Sequence, residues 1–174
     1  MFPPGTPTQP EIIAIALSKL GIRNTDVFVD IGCGSGSVSI AAAGYAKHVI
    51  AIDSRDEAVL AASANIKEAR IKNIEVLKGN AEILLPDIEF SCAFIGGSKN
   101  IGKILGILIQ KRSARFVVSA VRIETVALAL EIMKKNNVFK ELLQIQLSRG
   151  NELAGGIMLK PENPVILIIG ETKC

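Results

Sequence analysis

The sequence predicts one doubly wound α/β domain whose seven-stranded sheet is mostly parallel and carries an antiparallel strand at its C-terminal end. Short aliphatic runs, typical of buried parallel strands, alternate with helical segments along most of the 174 residues. Aromatic residues make up only 4% of the chain, so aliphatic side chains have to fill the core. The length suits a single domain, residues 1–174.

A capping box predicts the first helix. Thr8 is followed three residues later by Glu11, and Pro10 suits the first helical turn. The helix is expected to reach about Leu20 and to stop at Gly21.

Five strands then alternate with helices. The strands are predicted over residues 27–31, 49–52, 74–77, 92–95 and 116–120. The helices are predicted over residues 37–46, 56–69, 101–110 and 124–136, with a short helical turn after the third strand. Parallel strands joined in this way require right-handed crossovers.

The C-terminal segment departs from this alternation. "FKELLQIQLSRG" has the apolar–polar period of a strand, and "PVILIIG" is typical of a second one. The segment of residues 151–164 holds two glycines and two prolines, which leaves no room for a full crossover helix. An antiparallel pair is therefore expected to close the sheet.

Composition narrows the range of partners. The net charge of +3 comes without a clustered basic stripe, so no nucleic-acid partner is predicted, whereas a small anionic substrate is compatible. The three cysteines lack metal-ligand spacing, which indicates free thiols in a reducing compartment and no metal site. No signal peptide and no apolar run near the ~18 residues of a membrane helix are present, so we expect a cytoplasmic protein without a membrane partner.

The stretch "VDIGCGSG", residues 29–36, predicts a ligand-binding turn after the first strand. A dinucleotide motif would need its third glycine at Ser37, and Asp30 would repel a pyrophosphate and favour a cation. S-adenosylmethionine carries a sulfonium and an ammonium group and no phosphate. We therefore predict that it binds at Asp30 and at the turn formed by Gly32, Cys33, Gly34, Ser35 and Gly36, with the Cys33 thiol in a packing role.

Two neighbouring strand ends support the same cofactor. Asp53 ends the second strand and could accept hydrogen bonds from ribose hydroxyls. Asn80 and the backbone N–H of Ala81 follow the third strand and could bind the adenine edge. Each feature alone has a structural alternative, such as a tight loop, a helix cap or a turn. The coincidence of all three favours the cofactor site.

The segments "GTPTQPEI", "VDIGCGSGSVSI", "AFIGGSKNI", "SAVRIETVALAL", "IQLSRG" and "NPVILIIG" span nearly the whole chain. Through them the chain resembles the Rossmann-like class I methyltransferases, and more narrowly the decarboxylating precorrin-6B (carbon-15) methyltransferases of cobalamin biosynthesis, of the stand-alone archaeal type. The resemblance implies methyl transfer to carbon-15 of cobalt-precorrin-6B with loss of carboxyl from the ring C acetate. It also implies a homotetramer, and a contact between Thr8 and the cofactor.

A tetrapyrrole substrate requires a second set of residues. The glycine-rich loop after the fourth strand would let a flat macrocycle approach closely, and cationic side chains could pair with its carboxylates. The candidates are Gly96, Gly97, Ser98, Lys99, Arg122 and Arg149. The alternative for the three charged residues is that they are solvated surface residues without a role in substrate binding. No catalytic acid or base is assigned, because an electron-rich precorrin carbon mainly needs positioning.

Two rival functions remain open from the sequence. One is another class I methyltransferase that acts on RNA or a small metabolite, although neither a basic patch nor an appended domain is evident. The other is a non-catalytic subunit that binds S-adenosylmethionine. The intact cofactor residues weigh against this second alternative.

Overall fold

The sheet and its helices follow one another in the order that the sequence predicts. The computed structural model describes residues 8–97, 99–111 and 114–172. The helices are α1 (Pro10–Leu20), α2 (Ser37–Ala42), α3 (Asp56–Glu68), α4 (Ala81–Leu84), α5 (Ile101–Gln110) and α6 (Ile123–Lys135). The strands are β1 (Val27–Ile31), β2 (His48–Asp53), β3 (Ile74–Lys78), β4 (Cys92–Ile95), β5 (Arg115–Ala120), β6 (Phe139–Ile145), β7 (Ser148–Leu153), β8 (Gly156–Pro161) and β9 (Val165–Glu171).

The main sheet has seven strands in the order β3-β2-β1-β4-β5-β9-β6. The first five are parallel, and β9 pairs antiparallel with both β5 and β6. The predicted fold class and the antiparallel β6–β9 pair are thus confirmed. Because β6 runs in the same direction as β5, β9 is the one strand of this sheet that runs against the others.

Alternate residues of each central strand pack on opposite faces of the sheet. In β1, Val29 joins the cluster covered by α5 and α6, while Phe28 joins the cluster covered by α1 and α2. Helix α3 buries Ala62 and Ile66 against Ala51 of β2 on the second face. Both faces are therefore covered by helices, which explains why the central strands are continuously apolar.

The start of α1 differs from the prediction. Its N-cap is Gln9, whose side chain makes no capping bond and instead donates to Glu162 Oε2 at 2.9 Å. The predicted capping box is therefore wrong, and Thr8 lies one residue before the cap. The end of the helix is confirmed, because Gly21 has φ 53° and donates its N–H to the carbonyls of Leu17 and Ser18.

Helix α2 ends at Ala42, short of the predicted residue 46. The chain leaves the helix through a turn in which Asn73 Nδ2 donates to the carbonyls of Ala43 and Ala46, at 3.0 and 3.2 Å. A side chain from a distant part of the sequence thus satisfies carbonyls of the turn that follows the helix. None of the described helices is long and apolar enough to cross a membrane.

A hairpin formed by β7 and β8 lies outside the main sheet and was not predicted. The apolar–polar period predicts one strand through residue 150. In the structure, β6 stops at Ile145 and a separate strand, β7, follows. The hairpin turns at Ala154 and Gly155, with φ 49° and 81°. Two successive positive φ angles suit a tight two-residue turn. The hairpin leaves the sheet where β6 ends and β9 begins, which is the edge that also holds the carboxyl ends of β1 to β5.

Candidate functional site

A cavity of about 370 Å³ opens at the carboxyl ends of β1 to β4. Open α/β sheets bind their ligands at this edge. The cavity brings together predicted site residues from the ends of four strands: Gly32, Asp53, Asn80, Ala81, Gly96, Gly97 and Lys99. Residues distant in sequence thus converge on one site.

The glycine turn is built against the loop that follows β4. Gly32 has φ 77°, and a Cβ added there would lie 3.1 Å from the backbone nitrogen of Gly97. Gly36 has φ 79°, and an added Cβ would lie 3.3 Å from the Cβ of Ala62 in α3. Positive φ and close backbone approach both require glycine, so the turn is tight for packing reasons as well as for ligand access.

Both carboxylate oxygens of Asp53 accept hydrogen bonds. Its Oδ1 accepts from the backbone N–H and from Nε of Arg55, each at 3.1 Å. Its Oδ2 accepts from Gly34 N–H and from Arg55 Nη2, each at 3.0 Å. Burial acts to raise the pKa of Asp53, but the hydrogen bonds from Arg55 and Gly34 outweigh it and the pKa lies below its usual value.

Asp30 lies buried beneath the glycine turn and is not among the residues that line the cavity. Its Oδ2 accepts from Ser39 Oγ at 2.5 Å, whereas its Oδ1 is buried without a hydrogen-bond partner among the described residues. Burial raises the pKa of Asp30 to about 7, against the hydrogen bond from Ser39 and with help from the negative charge of Asp53. A buried, unpaired carboxylate oxygen fits a ligand ammonium or a bridging water.

The two described cysteines are free and buried. Burial raises the pKa of the Cys33 thiol, and the nearby Asp30 and Asp53 carboxylates raise it further. Cys33 therefore stays a neutral thiol, which suits a packing role and not that of a nucleophile. Cys174 lies outside the described residues, and among those described no group of metal-ligating side chains occurs.

Several other predicted positions do not line this cavity. Of the glycine turn, Cys33, Gly34, Ser35 and Gly36 lie outside the lining, although the N–H of Gly34 donates to Asp53. Arg122 is the N-cap of α6, exposed, with its Nε 3.6 Å from Glu124. Arg149 belongs to β7 and contacts Glu11 at 3.0 Å and Glu162 at 3.2 Å. Thr8 precedes α1 and does not line the cavity either.

Ser98 lies outside the described residues.

Sequence reasoning missed two charged residues of the cavity, Arg55 and Glu82. Arg55 lies two residues after Asp53, which is the only signal that could have indicated it. Glu82 accepts a hydrogen bond from Asn100 Nδ2 at 2.5 Å and so connects α4 to the start of α5.

Comparison with known proteins identifies the family. A model of the precorrin methyltransferase domain matches residues 4–171. The chain belongs to the precorrin methyltransferase family. A probable cobalt-precorrin-6B C(15)-methyltransferase (decarboxylating) of Methanosarcina acetivorans is 50% identical to this chain. The match covers 96% of this chain and 94% of that protein. The predicted resemblance is thereby confirmed.

Solved structures agree with the family assignment. A precorrin-8w decarboxylase of Methanobacterium thermoautotrophicum superposes with a TM-score of 0.92 at 29% identity, over 98% of this chain and 95% of that one. A SAM-dependent O-methyltransferase of Thermotoga maritima superposes with a TM-score of 0.78 at 14% identity, over 98% of this chain and 68% of that one. The second likeness shows the fold alone, which is that of class I methyltransferases.

Proposed function

We propose that this precorrin methyltransferase transfers a methyl group from S-adenosylmethionine to carbon-15 of cobalt-precorrin-6B, with decarboxylation of the ring C acetate, in cobalamin biosynthesis. The observation that carries the proposal is the 50% identity, over 96% of the chain, to a relative with that name. The cavity at the carboxyl ends of β1 to β4 supports it, because it gathers four of the predicted cofactor residues, Gly32, Asp53, Asn80 and Ala81.

The residues present fit S-adenosylmethionine. We assign the ribose hydroxyls to Asp53 and the adenine edge to Asn80 and the Ala81 backbone N–H. The unpaired Oδ1 of Asp30 offers an acceptor for the ammonium group, directly or through water. The carboxylates of Asp53 in the cavity and of Asp30 near it would repel a pyrophosphate, which weighs against a dinucleotide.

Bound S-adenosylmethionine supplies an activated methyl group. The chain's own task is to hold the macrocycle and the cofactor in line, since correct positioning alone can contribute about 7–11 kcal/mol. We propose that the flat substrate lies against the loop of Gly96 and Gly97, where the absence of side chains leaves the backbone accessible. Ser98 remains a candidate of the same loop.

Cationic side chains around this edge are proposed to hold the carboxylates of the tetrapyrrole. Lys99 lines the cavity and is exposed, so it is the first candidate. Arg122 is exposed at the same edge, and its contact with Glu124 is loose enough to be exchanged. Arg149 already pairs with two glutamates, so we assign it mainly to holding the hairpin against α1.

The homotetramer is proposed to form through the β7–β8 hairpin. The hairpin exposes the apolar side chains of Leu153, Ile157, Met158 and Leu159. A monomer would leave this surface and the hairpin edges in water, which neighbouring subunits would prevent. Closed symmetry would avoid open filaments.

Mass spectrometry of products is the decisive experiment. The protein is incubated with S-adenosylmethionine and either cobalt-precorrin-6B or its metal-free counterpart. We expect a product that has gained one methyl group and lost one carbon dioxide, together with S-adenosylhomocysteine. Binding of the cofactor without turnover of either substrate would favour a non-catalytic subunit. Methylation of RNA or of an unrelated metabolite instead would overturn the proposal.

A further inference from the structure

Arg55 covers the carboxylate on which the proposed cofactor site depends. A carboxylate offers about four lone-pair positions. On Asp53 these are taken by the backbone N–H, Nε and Nη2 of Arg55 and by the N–H of Gly34. Only 4% of the Asp53 side chain is exposed. Ribose hydroxyls therefore cannot bond to this carboxylate until the guanidinium group moves.

The location of Arg55 indicates that its side chain serves the cavity and not the helix. Arg55 is the N-cap of α3, a position where Ser, Thr, Asp or Asn would bond the first free N–H groups. The Arg55 side chain makes no capping bond and turns instead towards Asp53. The N-cap position of α3 is therefore occupied by a residue that does not cap the helix but contacts Asp53 in the cavity.

The guanidinium group is also placed so that it can leave. Its side chain is 44% exposed, so part of it is already in contact with water. The charge of Glu57, in the first turn of α3, also acts on Arg55 and offers an alternative partner. Because the Arg55 end of the ion pair is in contact with water, its attraction to Asp53 is partly screened and a well-placed ligand can exceed it.

We propose that Arg55 is a displaceable latch on Asp53. In the empty cavity it neutralises and shields the carboxylate, and the two ribose hydroxyls of S-adenosylmethionine displace its Nε and Nη2 donors on binding. After methyl transfer, the return of the latch favours release of S-adenosylhomocysteine. Arg55 is thus a positioning residue that selects ligands with both hydroxyls. The inference rests on the proposed function.

Calorimetric titration can isolate the latch. S-adenosylhomocysteine and its 2′,3′-dideoxy analogue have the same charge and differ only in the hydroxyls. In Arg55→Met, which removes the guanidinium and keeps an unbranched stem, we expect about two- to fivefold tighter binding of S-adenosylhomocysteine, the range that a partly exposed ion pair supports. The dideoxy analogue should bind equally to wild type and variant. Lys67→Met, at the other end of α3, is the charge-matched control and should change neither affinity.

A second variant guards against an effect on the helix. Arg55→Ser supplies a good N-cap to α3 and should show the same selective gain. Unchanged or weaker binding of S-adenosylhomocysteine in both variants would overturn the latch, as would an equal gain for both ligands. If wild type binds S-adenosylhomocysteine but the Arg55 variants show no selective gain in affinity for it, the latch alone is wrong. If wild type does not bind it at all, the proposed function falls as well.

Discussion

Two aspartates one strand apart differ in how strongly the fold stabilises their charges. Asp53 at the end of β2 is surrounded by donors, so its pKa is low and it stays ionised. Asp30 in β1 accepts hydrogen bonds from Ser39, and burial nevertheless raises its pKa to about 7. The first is suited to accept hydrogen bonds from neutral hydroxyls. The second is suited to receive a cation, whose charge would stabilise the ionised form.

Asp53→Ala should weaken the binding of S-adenosylhomocysteine by a few kcal/mol, because each hydrogen bond to a charged group contributes about 1.5–3 kcal/mol. The fold should survive, since the residue lies at a strand end. Titration calorimetry measures the change. Asp56→Ala is the control, because the carboxylate of Asp56 pairs with Lys78 and neither residue lines the cavity. Wild-type affinity in a folded Asp53→Ala protein would remove Asp53 from the site.

Asp30→Asn should stabilise the ligand-free protein more at pH 8 than at pH 5. The folded pKa of Asp30 lies above the usual Asp value, so its contribution to stability is present at low pH and is lost as the pH rises through about 7. Asparagine stays neutral and avoids this loss. The difference between variant and wild type should grow with pH by at most about 1.4 kcal/mol per unit, the limit for one proton. Denaturant unfolding at both pH values would show it, and a constant difference would contradict it.

At the scale of elements, local signals explain what the sequence could predict. Buried parallel strands and glycine turns carry their own patterns, so β1 to β5 and the strand ends that hold Asp53 and Asn80 were predictable. The β7–β8 hairpin was not, because all its residues are exposed and no burial pattern marks its strands. Arg55 was also missed, since the direction of a long side chain depends on its rotamer and not on sequence spacing.

The contact between the glycine turn and the β4–α5 loop gives a prediction at this scale. Gly32→Ala should destabilise the protein by about 1–2 kcal/mol, because the left-handed conformation is unfavourable for alanine. It should also weaken S-adenosylhomocysteine binding by pushing Gly97 away. Gly106→Ala in α5, where an added Cβ meets nothing within 4 Å, is the control and should stabilise by about 0.5–1 kcal/mol. Thermal unfolding and titration together test both expectations.

At the scale of the molecule, the two faces of the hairpin differ. Arg149 on one face contacts Glu11 of α1, and Met158 shares this face by strand alternation. Ile157 and Leu159 lie on the other face and are 72% and 68% exposed. The second face is therefore the better candidate for subunit contact.

Leu159→Glu should break the proposed homotetramer, because it would bury a charge against a neighbouring subunit. Light scattering should give about four times the 18.5 kDa chain mass for wild type and a smaller species for the variant. Asn151→Glu, on the face of Arg149, should leave the assembly intact. Binding of S-adenosylhomocysteine should remain measurable in both. A wild-type monomer, or a fully tetrameric Leu159→Glu protein, would place the interface elsewhere or remove it.

The position of β9 between β5 and β6 has a consequence for how the chain is made. This strand is among the last parts of the described chain to be synthesised, yet it lies between β5 and β6 and pairs with both. While the ribosome is still elongating, the edge of β5 lacks its partner and β6 has no strand to join. This side of the sheet can close only after residues 165–171 have been synthesised, and an open edge in the meantime invites pairing with other polypeptides. A message truncated before residue 165 would therefore yield an aggregation-prone product and not a smaller enzyme.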